Sequence, residues 1–170
     1  HPWYHKGFIL DQVEFLPSWI IHWLRDVYLK YAKKFDNNEK IYIDRTESKF
    51  NHCQIQNDNE IFNFLKEKGF SKYKVGELSF FEQIYLFNNA KIIIGAHGSG
   101  FTNLVFCKPK TKVIEIRPPI HSNSVFESIS YINYLNYRLI QTKELDEDQK
   151  KFGDIYLPIS ELEHCIKNLG

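Results

Sequence analysis

The stretch Ile92-Ile93-Ile94-Gly95-Ala96-His97-Gly98-Ser99-Gly100-Phe101-Thr102-Asn103 constrains this chain more than any other. Its β-branched apolar run reads as a buried strand. The glycines around one histidine and one serine read as a tight turn with close backbone approach. Asn103 and the apolar residues after it open a helix. A turn of this kind exposes backbone N–H groups at a helix N-terminus, where anions such as phosphates bind. The spacing is neither GxGxxG nor a P-loop.

The rest of the chain repeats the same alternation. Apolar residues from Ser18 to Phe35 recur at helical spacing behind Pro17. Lys40 to Asp44 reads as a strand. Asn57 and Glu60 form a capping-box pattern for a helix over Glu60 to Lys68, which Gly69 ends. A weak strand is expected over Tyr73 to Val75. Ser79 and Glu82 form a second capping box, opening a helix through Phe87 that turns Ile84 and Phe87 inward. Strands follow at Lys91–Gly95, Lys112–Ile116 and Tyr137–Gln141. Helices are expected at Gly100–Cys107, Ser124–Leu135 and Glu161–Leu169, and solvated loops over Glu47–Asn59 and Lys143–Lys151. The strands are short apolar runs without polar alternation. That pattern implies an α/β fold, a Rossmann-like parallel sheet with helices on both faces. A lead-in linker and N-terminal helix occupy 1–38, and the Rossmann-like unit 39–170, within a single domain overall.

Composition narrows the function classes. The 170 residues suffice for one domain with a real core. A formal charge of +1 gives no general pull toward nucleic acid or an anionic membrane, so any anion site must be local. Cys53, Cys107 and Cys165 are sparse and form no CxxC pair, which argues against a disulfide framework and for a reducing compartment. His52 and Cys53 have no second pair to complete a metal site. No N-glycosylation sequon, signal peptide or membrane-spanning apolar run occurs in these residues. The expected location is cytoplasmic, with association to the inner face of a membrane as the variant. The chain begins at His1 and contains no methionine, so it is expected to be a piece of a longer protein.

In a parallel sheet the ligand crevice lies beyond the carboxyl ends of the strands. Asp44-Arg45, Gly95 to Gly100 and Arg117 all fall there. His97, Gly98, Ser99 and Gly100 form a candidate phosphate cradle, with His97 hydrogen-bonding a phosphate or sugar oxygen. The alternative is a plain strand-to-helix turn. Arg45 offers a bidentate fork for phosphate, or a surface ion pair with Asp44 or Glu47. Glu115, inside an apolar strand, needs a partner, either ribose hydroxyls or a structural arginine; alternation puts it on one face with Arg117. Thr102 and Asn103 either donate to a diphosphate or cap the helix. Gln83 either reaches the sheet edge or faces solvent. Ser99 and His97 do not make a nucleophile elbow. A helix N-terminus contributes ~0.3–1 kcal/mol to an anion, whereas micromolar binding needs about 8 kcal/mol. The glycine turn therefore cannot hold a nucleotide alone.

Several blocks, in order, resemble the family 61 glycosyltransferases. They are Ile41-Tyr42-Ile43-Asp44-Arg45, Asn57 with Glu60, Leu78 to Phe87, Ala90 to Phe106 and Val113-Ile114-Glu115-Ile116. The family includes capsular-polysaccharide enzymes and xylosyl- and N-acetylglucosaminyltransferases. The resemblance implies an inverting, metal-independent GT-B transferase with no cofactor, of which this chain is the half that binds the nucleotide-sugar donor. It further implies a UDP-linked donor, a glycan acceptor, an absent N-terminal domain of the same protein and a role in polysaccharide biosynthesis. Carried over by position, Arg45 holds the diphosphate, His97 to Gly100 cradle it, Asn103 supports the turn and Glu115 faces the nucleoside. The catalytic base is unassigned, with His97 in a supporting role. A second family arginine is missing before Asn57, where Lys49, His52 and Cys53 stand. The isolated residues are expected to be catalytically incompetent. Two other classes compete: a non-catalytic nucleotide- or glycan-binding module of the same fold, and a phosphotransferase, which the missing P-loop disfavours.

Overall fold

Apolar runs with no polar alternation can be buried only if both faces of a sheet are covered, and that is the arrangement found. In the computed structural model, residues 16–46, 53–121, 123–143 and 153–169 are described. Strands β1 (Lys40–Ile43), β2 (Ser71–Tyr73), β3 (Ile92–Ala96), β4 (Lys112–Arg117) and β5 (Asn136–Gln141) form one sheet in the order β2-β1-β3-β4-β5. Every pairing is parallel. Helices α1 (Ser18–Tyr28), α3 (Phe80–Asn89) and α4 (Val125–Ile132), with a 3-10 helix over Ser99–Phe106, cover one face. There Ile41, Ile43, Ile93 and Val113 meet Ile84, Phe87, Phe101 and Ile129. Helices α2 (Asp58–Glu67) and α5 (Ile159–Lys167) cover the other, where Tyr42, Ile94, Ile114 and Ile140 meet Ile61, Leu65 and Leu162. The fold is the Rossmann-like α/β arrangement that the strand pattern implies.

Strand order positions the site. The chain leaves β1 for β2 on one side and returns to β3 on the other. A crevice therefore opens beyond the carboxyl ends of β1 and β3, where the connections part. Among the described residues, no helix is long and apolar enough to cross a membrane.

Four local expectations are corrected. The N-terminal helix runs only from Ser18 to Tyr28 and tightens to a 3-10 turn at Leu29–Tyr31. The weak strand lies at Ser71–Tyr73, while Val75 turns into the core at the start of a 3-10 turn. The Asn57–Glu60 capping box does not form. The Asn57 amide donates to Glu60 Oε2 at 3.1 Å but caps no backbone N–H of the helix. It also donates to the Leu157 carbonyl at 2.9 Å and accepts from the Leu157 N–H at 3.2 Å, tying α2 to the segment entering α5. The segment after β3 is 3-10 rather than α-helical. Thr102 Oγ1 and Asn103 Nδ2 donate to the carbonyls of Ser99 and Gly100, three residues back, and compete with α-helical pairing there. By contrast, the Ser79–Glu82 capping box is formed in full, and Ile84 and Phe87 are buried. The expected linker, Lys49, His52 and most of the 143–151 loop lie outside the described residues.

Candidate functional site at the carboxyl ends of β1 and β3

Ile43 at the end of β1 pairs with Gly95 in β3, so the residues that follow each strand face one another across the crevice. Arg45 is half-buried, and Gln54 Nε2 donates to its carbonyl at 2.9 Å. Its guanidinium lies across Gly98: a Cβ built on residue 98 would stand 1.7 Å from Nη1 and 2.3 Å from Cζ. Only glycine admits that approach. Gly95 is required for a different reason, since a Cβ there would meet Ile43 Cβ at 2.9 Å and Phe101 Cε2 at 3.3 Å. At Gly100 the nearest atom is an ordinary 3.5 Å away. The neighbouring Asp44 carboxylate accepts from the Thr46 N–H at 2.8 Å and lies 3.6 Å from Lys72 Nζ. Burial works to raise the Asp44 carboxyl, and the Thr46 bonds and Lys72 outweigh it, leaving it below its usual range.

The His97 N–H donates to the Ile116 carbonyl at 2.7 Å, continuing the β3–β4 pairing one residue past the strand. His97 is buried to 8% exposure, its ring stacked on His121 at 4.8 Å and tilted against Phe126 at 5.1 Å. Its Nδ1 lies 2.6 Å from Glu115 Oε1. Glu115 is fully buried, and its carboxylate also accepts from Arg117 Nε at 2.9 Å, Arg117 Nη2 at 3.2 Å and the Tyr137 hydroxyl. Burial pushes the Glu115 carboxyl up, but the bonds from His97, Arg117 and Tyr137 outweigh it and hold it below the usual carboxylate range. Tyr137 is pushed well above the phenol range by burial and by the Glu115 charge. The expected sharing of a face by Glu115 and Arg117 is found. The Glu115 oxygens are engaged by His97, Arg117 and Tyr137, and the side chain is fully buried.

Gln83 and Asn103 form a brace. Asn103 Nδ2 donates to Gln83 Oε1 at 3.0 Å, and Gln83 Nε2 donates to the Leu78 carbonyl at 3.0 Å. Gln83 is thus joined to the scaffold of the turn rather than projecting into the crevice or into solvent. Ser99 and Thr102 are exposed at the mouth of the 3-10 helix. The first amides of that helix have no carbonyl of their own helix to donate to. Cys53 and Cys107 are buried thiols, and burial pushes Cys53 up to about 11. Among the described residues, no group of three or more histidine, cysteine or acidic side chains is placed to hold a metal ion.

Three contributors escape a reading by motif. Tyr137 falls in an expected strand but reaches Glu115 only through the β4–β5 register. His121 lies in a loop with no pattern. Arg25 of α1 donates through Nη1 to the carbonyls of Val105 and Cys107, both at 2.6 Å, and fastens the far end of the 3-10 helix. An arginine beside the apolar stripe of an amphipathic helix is the signal that could have found it.

The glycosyltransferase 61 family model matches residues 9–114. The chain belongs to this family. The match takes in Arg45, Gln83 and the whole 97–103 turn, and stops one residue short of Glu115. Over 136 residues, 79% of this chain and 22% of the relative, this family 61 chain is 31% identical to a beta-1,2-xylosyltransferase of Oryza sativa subsp. japonica. Over 68 residues, 37% of the chain and 13% of the relative, it is 38% identical to the EGF domain-specific O-linked N-acetylglucosamine transferase of Bos taurus. The counterpart from Gallus gallus is 40% identical over the same length. The chain therefore spans about a fifth or less of the length of the curated relatives it matches.

Proposed function

We propose that this family 61 chain binds the nucleotide-sugar donor of an inverting, GT-B-type glycosyltransferase, with the diphosphate at the crevice between β1 and β3. The observation that carries the reading is the Arg45 guanidinium laid across Gly98 at the point where the strand connections part. A planar fork at that position suits a diphosphate, and the first amides of the Ser99–Phe106 helix add donors of the same polarity. In this reading Arg45 supplies the cation at the leaving group, and neither a metal nor a cofactor is needed. A glycan hydroxyl, giving its proton to a general base, attacks the anomeric carbon, and the diphosphate departs with the electron pair of the broken C–O bond. The charge growing on the diphosphate meets donors that are already in place, which is where electrostatic catalysis contributes most. The acceptor lies on a facing half of the protein, as the family resemblance implies.

Calorimetric titration of the protein with UDP, GDP and CMP tests the proposal. Binding of UDP is expected, and Arg45→Ala should weaken it by about tenfold or more, the loss of one charge-assisted contact. UDP affinity that is unchanged in Arg45→Ala would remove Arg45 from the site.

A further inference from the structure

The carboxylate of Glu115 settles where the proton of His97 sits. An ionised carboxylate only accepts hydrogen bonds. Three of its partners, Arg117 Nε, Arg117 Nη2 and the Tyr137 hydroxyl, are donors. The fourth, His97 Nδ1 at 2.6 Å, must donate as well. The charges of Glu115 and Arg117 cancel, so a neutral imidazole completes a buried cluster without net charge. A neutral ring with its proton on Nδ1 leaves a lone pair on Nε2. On that side Asn123 Nδ2 lies 3.5 Å from Nε2, at the outer limit of a hydrogen bond. The rest of the ring is walled by His121 and Phe126. A lone pair repels phosphate oxygens and welcomes a hydroxyl. We propose that Glu115, backed by Arg117 and Tyr137, is a positioning residue that fixes the His97 ring so that Nε2 accepts a hydrogen bond from a sugar hydroxyl. The inference rests on the donor-binding reading for its ligand and revises two expectations within it: His97 does not hold the diphosphate, and Glu115 does not hold the nucleoside.

The hydroxyl belongs either to the donor sugar or to the acceptor, and two measurements separate these sources. Calorimetry compares UDP with UDP-xylose and UDP-N-acetylglucosamine in wild type and His97→Ala. If the donor sugar supplies the hydroxyl, the variant binds a UDP-sugar about tenfold more weakly while UDP binding is unchanged. If the acceptor supplies it, both affinities are unchanged and kcat of the full-length protein falls by ~100-fold at constant donor KM, because Nε2 then takes the proton of the attacking hydroxyl. Equal losses with UDP and UDP-sugar would mean a phosphate ligand and overturn the assignment, as would no loss in binding or turnover. The positioning half has its own readout in the ring 15N shifts of His97. The free wild type should show the proton on Nδ1, and Tyr137→Phe or Glu115→Gln should raise the share carrying it on Nε2. A wild-type ring protonated on Nε2, or a tautomer balance indifferent to both substitutions, overturns that half. Failure of the wild type to bind UDP and either UDP-sugar would sink the donor-binding reading and its hydroxyl. The 15N result would still decide whether Glu115 positions His97.

Discussion

The guanidinium of Arg45 rests on the α-carbon of Gly98, with the room for a β-carbon already filled by Nη1 and Cζ. A methyl group at residue 98 must push aside the end of a flexible side chain rather than backbone. Gly98→Ala should therefore leave the thermal midpoint within a few degrees while displacing the arginine. UDP affinity should fall to the level of Arg45→Ala, by about tenfold. The double variant should be no weaker than either single one, because both remove the same contact. Calorimetry on the three variants checks this.

Gly95 presents the opposite case. Its β-carbon would meet Ile43 Cβ, a branched atom fixed to a central strand, at 2.9 Å. Gly95→Ala should cost ~1–3 kcal/mol of stability through overpacking. Urea unfolding measures the loss directly, and a variant as stable as wild type would show that β1 and β3 can separate to admit the methyl.

Acid should weaken the fold through Glu115. Its carboxyl is held below the usual 4.5, so its contribution is fully present above the unfolded value and is lost as pH falls through the folded one. Asp44 is lowered too and adds in the same direction, as does Glu82, held down to about 2 by Lys33 and Ser79. Urea midpoints of wild type should fall on acidification below about pH 4.5, and those of Glu115→Gln should fall less steeply. Parallel curves for the two proteins would show that Glu115 titrates alike folded and unfolded.

Asn57 separates a cap from a tie. Asn57→Ala should destabilise the protein by about 1–2 kcal/mol, because it removes both bonds to Leu157. Asn57→Ser keeps an oxygen suited to capping α2 but is too short to reach Leu157, so it should recover little of the loss. Full recovery by serine in chemical denaturation would mean that capping is what counts.

The parts of the molecule legible in the chain are those decided within a few residues. Ser79 and Glu82 cap α3 because both partners sit in one turn, and Glu115 shares a face with Arg117 because strand alternation is local. Asn57 has the same capping pattern as Ser79. Its amide nonetheless goes to Leu157, a hundred residues away, where paired backbone donors and acceptors make a better offer. Glu115 illustrates the remainder. A carboxylate in an apolar strand announces that it has partners, and the choice between ribose and arginine rests on burial. Burial is fixed by Tyr137 on the next strand and His97 just past the end of the previous one. The glycines at 95, 98 and 100 look alike in sequence, whereas Ile43 of β1 and Arg45 just beyond it crowd two of them and leave the third in ordinary contact.

The strand order also bears on how the molecule assembles. Arg45 and Gly98 meet only once β1 has paired with β3, a contact distant in sequence and slow to close. The ring of His97 is secured only after β4 and β5 have joined. The crevice is thus complete only when these strands have paired, and an unfolded chain lacks it. A nucleotide that occupies it would recognise the finished sheet alone. It would shift the unfolding equilibrium by mass action toward that state.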